Sequence, residues 1–484
     1  MRRLSCQKRT AVNETYGEAA IFALAAASLV LSGCNAGDRL SRLNPFGGDR
    51  EDPNAPPRDQ RVPVLALDER LAPVENGRVN LPPAYVNDRW PQPDGFPTHA
   101  MQHTQARGSL ERLWRADAGA GSNRDRRINA RPVVLDGVVY TVDAAGRVSA
   151  FDAETGSRRW QVRLTEREEA SSGGSGLPIP LPFIGREGGG PDRFAFGGGI
   201  AVDGGRVFVH TGRRFLVALN ASNGEEIWRE TALTPFLAAP TVADGRVYSI
   251  THENELIAFS AESGSVQWTH RAIADSARVL TAPSVAVQGD VVIAPFSSGE
   301  VVALRAQNGI ELWSDALTRA GGLTPLSSIN DIAGSPVIGD TQAYAASHSG
   351  IMAAFDMRTG ERSWTAPASA LHTPWLVGNY IFLVTTEAQV VAMNRRTGEV
   401  QWTTQLEAFR NERRRRDRIA WAGPVLAGNR VLIASSRGEL VIMNPADGSI
   451  TERRNLREPV LISPVIANET VYILTDNGNL IALR

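Results

Sequence analysis

The chain is poor in three things. Of its 484 residues, two are cysteine (Cys6 and Cys34) and one is lysine (Lys8). So few cysteines exclude a disulfide framework, a four-cysteine zinc site and a CxxCH haem attachment. Long apolar runs are scarce as well. The one extended run, Ala19 to Leu31 (AAIFALAAASLVL), has thirteen residues, short of the ~20 that a bilayer-spanning helix needs. Nor is one sign of charge in excess: 51 Lys+Arg face 52 Asp+Glu, a formal net charge of −1. That balance argues against a protein held to nucleic acid mainly by electrostatics. With 42% hydrophobic residues, the chain lacks the composition of a disordered one. Glycine, in contrast, is plentiful. Its 45 residues make about 9% against a usual ~7% and imply many turns between short strands.

The short apolar run has the length of a signal-peptide h-region. Arg2, Arg3, Lys8 and Arg9 precede it, and Leu31-Ser32-Gly33-Cys34 closes it. That closing tetrad resembles a bacterial lipobox, which implies cleavage of residues 1–33 and lipidation of the Cys34 thiol. Asn35 rather than aspartate at the next position implies the outer membrane. The alternative, a buried helix and a chance cysteine, leaves the order of charge, apolar run and small residues unexplained. Losing residues 1–33 removes four basic and two acidic side chains and leaves 47 and 50. Cys34 is then the only cysteine, so stability must come from a packed core. Residues 34–106 read as a lipidated, Pro-rich N-terminal tether and extension. Asn44 to Pro63 (NPFGGDREDPNAPPRDQRVP) is rich in Pro, Gly and charge, and reads as flexible. Val62 to Pro97, with Trp90-Pro91-Gln92-Pro93, is expected to lie against the folded body.

Residues 107–484 are organised by a repeat. Six segments align without gaps: AFDAETGSRRW (150–160), ALNASNGEEIW (218–228), AFSAESGSVQW (258–268), ALRAQNGIELW (303–313), AFDMRTGERSW (354–364) and AMNRRTGEVQW (392–402). Each places glycine six and tryptophan ten positions after the leading alanine, so Trp160, Trp228, Trp268, Trp313, Trp364 and Trp402 occupy one slot. A seventh copy (442–452) keeps Gly448 but has Glu452 in that slot, and an eighth begins at Ala482. Ahead of each copy stands an apolar run broken by a two-residue turn, as in PTVADGRVYSI (240–250), which signals a hairpin. The pattern gives four short strands per unit and predicts an all-β, eight-bladed propeller of four-stranded antiparallel blades. Its last unit, Pro464 to Arg484, has only three strands. Leu110 to Ala116, with Trp114, is expected to supply the fourth and so close the ring without an exposed edge.

The motif Ala-x-Asp-x-x-Thr-Gly-x-x-x-Trp resembles the tryptophan-docking repeat of the PQQ-like eight-bladed propellers, in which the indole packs between adjacent blades. That superfamily holds both enzymes and scaffolds. One branch comprises quinoprotein dehydrogenases with PQQ and Ca²⁺ on the axis, many with a ring disulfide. The mature chain cannot form that disulfide, and no crowded Asp/Glu/Asn set reads as a Ca²⁺ cage. The other branch is the BamB family of outer-membrane β-barrel assembly lipoproteins, which the lipobox, the tether and the propeller length resemble. That resemblance implies a non-enzymatic scaffold without cofactor or metal, lipid-anchored at the outer membrane and facing the periplasm. Its partners would be the POTRA domains of BamA, other subunits of the assembly complex and nascent outer-membrane proteins. A membrane-tethered PQQ-dependent dehydrogenase is the alternative, and a glycan-binding propeller a third reading.

Loop lengths point to one working face. From each repeat tryptophan to the next first-strand proline the gaps are 12, 15, 23, 10 and 22 residues, from Trp228 onwards. The other turns are short and nearly constant. Variable connectors on a constant scaffold are where binding is selected. The Gly-rich connector Thr165 to Gly199 has no GxxxxGK and reads as a loop rather than a phosphate cradle. Phe409 to Ala420 (FRNERRRRDRIA) carries Arg410, Arg413, Arg414, Arg415, Arg416 and Arg418. It is either a solvated loop or a surface for an acidic partner or lipid head groups. The BamB resemblance further implies BamA contacts in ADSARVLTAP (274–283) and INDIAGSP (329–336), with Arg278 and Asp331 at the matching charged positions. Asp275, Ala277 and Ala333 depart from the family pattern there. No HExxH or GxSxG occurs, so no catalytic set is assigned. His99 and His103, four apart, would suit a metal only on a helix, which their Pro-rich surroundings oppose.

Overall fold

In the computed structural model every blade has the same construction, and blade 3 shows how the sequence dictates it. Its strands are Thr241–Ala243, Arg246–Ile250, Glu255–Ser260 and Val266–Arg271, counted outward from the axis. Asp244 and Gly245 both have positive φ (47° and 74°), the backbone that a two-residue hairpin matched to strand twist requires. The two middle strands are buried almost throughout, because neighbouring blades cover both of their faces. Their sequences accordingly run apolar rather than alternating. The outer strand is covered on one side only and alternates with period two.

The structure describes residues 71–165, 198–273, 281, 283–318 and 329–484. They belong to one compact unit, Glu69–Arg484. Eight four-stranded antiparallel sheets make the ring. Blades 1 to 7 follow in chain order, their innermost strands being Val133–Leu135, Gly199–Asp203, Thr241–Ala243, Ala286–Gln288, Val337–Gly339, Trp375–Val377 and Trp421–Leu426. Blade 8 combines Val465–Ala467, Thr470–Leu474 and Asn479–Leu483 with Arg112–Asp117, the strand from the other end of the chain.

The repeat's spacing is a strand register. Ala258 lies directly across from Trp268, and Ala150–Trp160, Ala218–Trp228, Ala303–Trp313, Ala354–Trp364 and Ala392–Trp402 pair in the same way. A small residue opposite the indole leaves room for the ring. The register slips by one residue just beyond each of these alanines, a bulge that adds twist where the outer strand peels away. Trp114 opposite Ala482 completes the series across the chain ends.

Each indole then docks on the following blade. Trp268 Nε1 donates to Ala306 O at 2.9 Å, Trp160 to Ala221 O at 2.9 Å and Trp402 to Pro445 O at 2.9 Å. Trp228, Trp313, Trp364 and Trp114 bond likewise to Ala261, Met357, Arg395 and Ala153. The repeat glycine lies beneath the ring. A Cβ on Gly309, whose φ is +71°, would stand 2.5 Å from Trp268 Cε3. At the junction from blade 7 to blade 8 the slot holds Glu452. There Arg454 donates to Leu110 O at 2.7 Å, since the chain ends replace the turn that an indole would cap.

Candidate functional site

The innermost strands expose their free edges to the axis, and residues 87–104 satisfy them one blade at a time. Asn87 bonds blade 8, its Nδ2 donating to Ile466 O at 2.8 Å. Trp90 exchanges both backbone bonds with Val134 of blade 1, and Pro91 O accepts from Val202 N of blade 2. Gln92 reaches Val242 of blade 3 with its side chain, donating at 2.7 Å and accepting at 3.0 Å. Pro97 O and Thr98 O accept from Val287 N and Ile338 N of blades 4 and 5. Gln102 N donates to Leu376 O of blade 6, and Thr104 O accepts from Gly428 N of blade 7. The segment thus makes one circuit of the ring. Pro91, Pro93 and Pro97 lack N–H donors and cannot continue a ladder, so the segment curves past each strand and joins none of them.

Above this circuit, on the side of the long connectors, lies a cavity of about 730 Å³ floored by Pro93 and Asp94. Asp94 is 5% exposed, is ion-paired with Arg131, and accepts from Ser335 Oγ at 2.7 Å and Ser284 Oγ at 3.3 Å. Burial alone would raise its pKa. The nearby charges of Arg131 and His99 and hydrogen bonds from Ser335 and Thr373 outweigh that and hold it at about 2. His99, buried beside it, has a lowered pKa because burial penalises the cation. Its Nδ1 donates to Pro336 O at 2.6 Å. His103 is also spoken for, bonding Pro82 O at 2.5 Å and Gly428 O at 3.0 Å. Both histidines fasten the circuit, and no cluster of three metal-ligating side chains occurs among the described residues.

The wall of the cavity holds Arg124, Arg127, Arg131, Arg418, His372 and Asp476. Burial, reinforced by Arg131, lowers His372 to about 4, so it is neutral at pH 7. Arg127 meets Asp476 only at 4.0 Å. Arg418 ends the arginine-rich connector, which is an ordered hairpin where the sequence suggested a loop. Phe409–Asn411 pairs with Arg416–Arg418 around a 3-10 turn, with Glu412 Oε1 accepting from the amides of Ala408 and Phe409 at 2.9 Å.

Of the residues marked out by the sequence, Arg418 lines this cavity. Cys34, Arg278 and most of the Gly-rich connector (166–197) lie outside the described residues. Asp331, matched to a charged contact position by the family resemblance, is 4% exposed, and its carbonyl accepts from His348 N at 2.8 Å. Ile332 and Ala333 beside it are buried too, because this connector turns down onto blade 5. The connectors bearing Arg278 and Asp331 are joined at their feet, where Ser284 N donates to Ser335 Oγ at 2.9 Å. Two apolar side chains project from the same face: Leu233, 82% exposed, and Ile273, 71% exposed, which opens the Arg278 connector. The sequence reading overlooked Asp94 and the run Arg124 to Arg131 (RDRRINAR). The signal for the latter was present, as a basic cluster just ahead of a first strand, where the 409–420 hairpin also stands.

A family model described as outer membrane protein assembly factor BamB matches residues 185–404 and 409–484. A second, described as the β-propeller domain of glucose, ethanol and alcohol dehydrogenases, matches 100–177. The chain is 30% identical over 372 residues to outer membrane protein assembly factor BamB of Salmonella typhimurium, covering 77% of this chain and 88% of the relative. The Escherichia coli protein of that name is 30% identical over 373 residues, covering 76% and 88%. Among solved structures, BamB from Moraxella catarrhalis superposes with a TM-score of 0.62 at 21% identity, covering 78% of this chain and 99% of that one. A quinohemoprotein alcohol dehydrogenase from Comamonas testosteroni gives 0.58 at 13% identity, covering 82% and 80%, a likeness of fold alone.

Proposed function

The chain belongs to the family of outer membrane protein assembly factor BamB, and from that premise we propose that it is a non-enzymatic scaffold in the assembly of β-barrel proteins into the outer membrane. The observation that carries this is the 30% identity sustained over 77% of the chain and 88% of the Salmonella relative, more than a shared docking motif accounts for. The dehydrogenase reading has behind it a family-model match confined to residues 100–177 and a likeness of fold at 13% identity to the Comamonas enzyme.

In this reading Cys34 carries the lipid, the stretch Asn44 to Pro63 is the flexible part of the tether, and the ring is held in the periplasm at the outer membrane. The ring docks on the POTRA domains of BamA through the paired connectors of blades 3–4 and 4–5. Arg278 makes the charged contact, Ile273 and, from the adjoining 2–3 connector, Leu233 supply the apolar part, and Asp331 holds its connector from beneath. Arginine together with exposed apolar side chains is the composition of an interface core. Outer strands with exposed apolar residues, Ile227, Val266 and Leu312, are suited to pairing with an extended substrate chain.

Copurification from membranes tests the reading. Tagged full-length protein should recover BamA, and Arg278→Glu should lower that recovery roughly tenfold, a loss of about 1.4 kcal/mol. No BamA with the wild type sinks the function. Undiminished recovery with Arg278→Glu sinks the site while leaving the function standing.

A further inference from the structure

The cavity over the circuit has a charge imbalance that the fold does not require. Asp94 is spent on Arg131, and Asp476 faces Arg127. Arg124 and Arg418, both exposed, also line it, and neither has an ion pair with a described carboxylate. Arg418 is held in place, its guanidinium bonded to Thr386 O and set 5.8 Å over the Phe409 ring. A guanidinium fixed in this way has already lost the side-chain entropy that binding would otherwise cost. Ile128, Leu371, Leu461 and Ile462 give the lining an apolar part, beside the polar Asn129, Thr281, Thr373 and Ser436. A volume of about 730 Å³ falls within the ~300–1,000 Å³ range of small-molecule sites.

We propose that this cavity binds a small amphipathic anion, with its carboxylate or phosphate on Arg124 and Arg418 and its apolar body against Ile128, Leu461 and Ile462. Planar guanidinium forks suit both oxyanions. The two aspartates are already paired, so a ligand displaces no existing ion pair. The neutral His372 leaves the apolar side of the wall uncharged. The site is independent of the assembly role, and neither stands or falls with the other.

Titration calorimetry on the purified full-length protein tests this with three probes of one size: N-acetyl-phenylalanine, phenyl phosphate and the neutral N-acetyl-phenylalanine amide. One or both anions should bind with a Kd of roughly 0.1–1 mM, at least ten times tighter than the amide. Which anion binds tells carboxylate from phosphate. Arg124→Gln, which removes no hydrogen bond of the fold, and Arg124→Gln/Arg418→Gln should weaken the anion at least tenfold. Arg413→Gln/Arg414→Gln, on the hairpin but off the cavity wall, should leave it unchanged. Equal binding of anion and amide, no heat up to about 10 mM anion, or wild-type affinity in the double variant would each overturn the proposal.

Discussion

Asp94→Asn is the most informative single change in this molecule, because it separates the axial segment's anchoring from its mere presence. In the wild type the carboxylate is 5% exposed and paired with Arg131, whose side chain is 16% exposed. Asparagine keeps the shape but leaves the Arg131 cation without a counter-charge, a defect that costs about 3–5 kcal/mol in buried pairs. The protonation equilibrium gives a second measure. Asp94 is held at about 2 against an ordinary 3.8, which corresponds to roughly 2–2.5 kcal/mol favouring the folded ion. That contribution is complete above about pH 4 and is lost as the pH falls towards 2, because the unfolded chain takes up the proton first. In a body of roughly 400 residues, 3–5 kcal/mol lowers Tm by about 3–6 °C. Scanning calorimetry at pH 7 reads this directly. Arg131→Met should also destabilise, and the double variant should cost less than the two singles together, since it removes both charges. An Asp94→Asn protein melting within about 1 °C of wild type would refute the anchoring role of this pair.

Two further outcomes follow from the blade geometry. Gly309→Ala should lose about 2–4 kcal/mol in urea unfolding, from positive-φ strain plus overlap with the Trp268 indole. Gly245→Ala has a similar φ of +74° but nothing within 4 Å, and should lose only about 1 kcal/mol; equal losses would mean that the indole contact is not tight. His210, fully buried with Nε2 on Ala238 O at 2.6 Å, is lowered to about 4 by burial. The unfolded chain protonates it near pH 6.5 and the folded one only near 4, so stability should fall by about 3 kcal/mol as the pH drops across that window. His210→Gln should flatten this part of the pH–stability curve, and an unchanged slope would place the titration elsewhere.

The legibility of the blades has a mechanical origin. Alanine and tryptophan ten positions apart are cross-strand partners, and the glycine between them is the only residue that fits under the preceding indole with positive φ. Such a signal is local, repeated and tied to one backbone geometry. The axial site has no such periodicity. Asp94 meets Ser284 and Ser335 across separations of 190 and 241 residues, and nothing in its own neighbourhood of sequence marks it for burial. The burial of Asp331 is illegible for the same reason: a charged residue in a long connector carries no local sign that the connector folds back onto a blade.

The sequence by itself determined the all-β ring, its eight blades, the register within each and the closure by Trp114 across the chain ends, because these rest on contacts between adjacent strands or adjacent repeats. Tertiary structure alone decided that residues 87–104 run along all eight inner edges, that Asp94 and Arg131 pair, and that Arg124 and Arg418 line one cavity with them. A closed ring brings the inner end of every connector to one centre. Residues far apart along the chain become neighbours there through the curvature of the whole assembly, which no segment of it encodes alone.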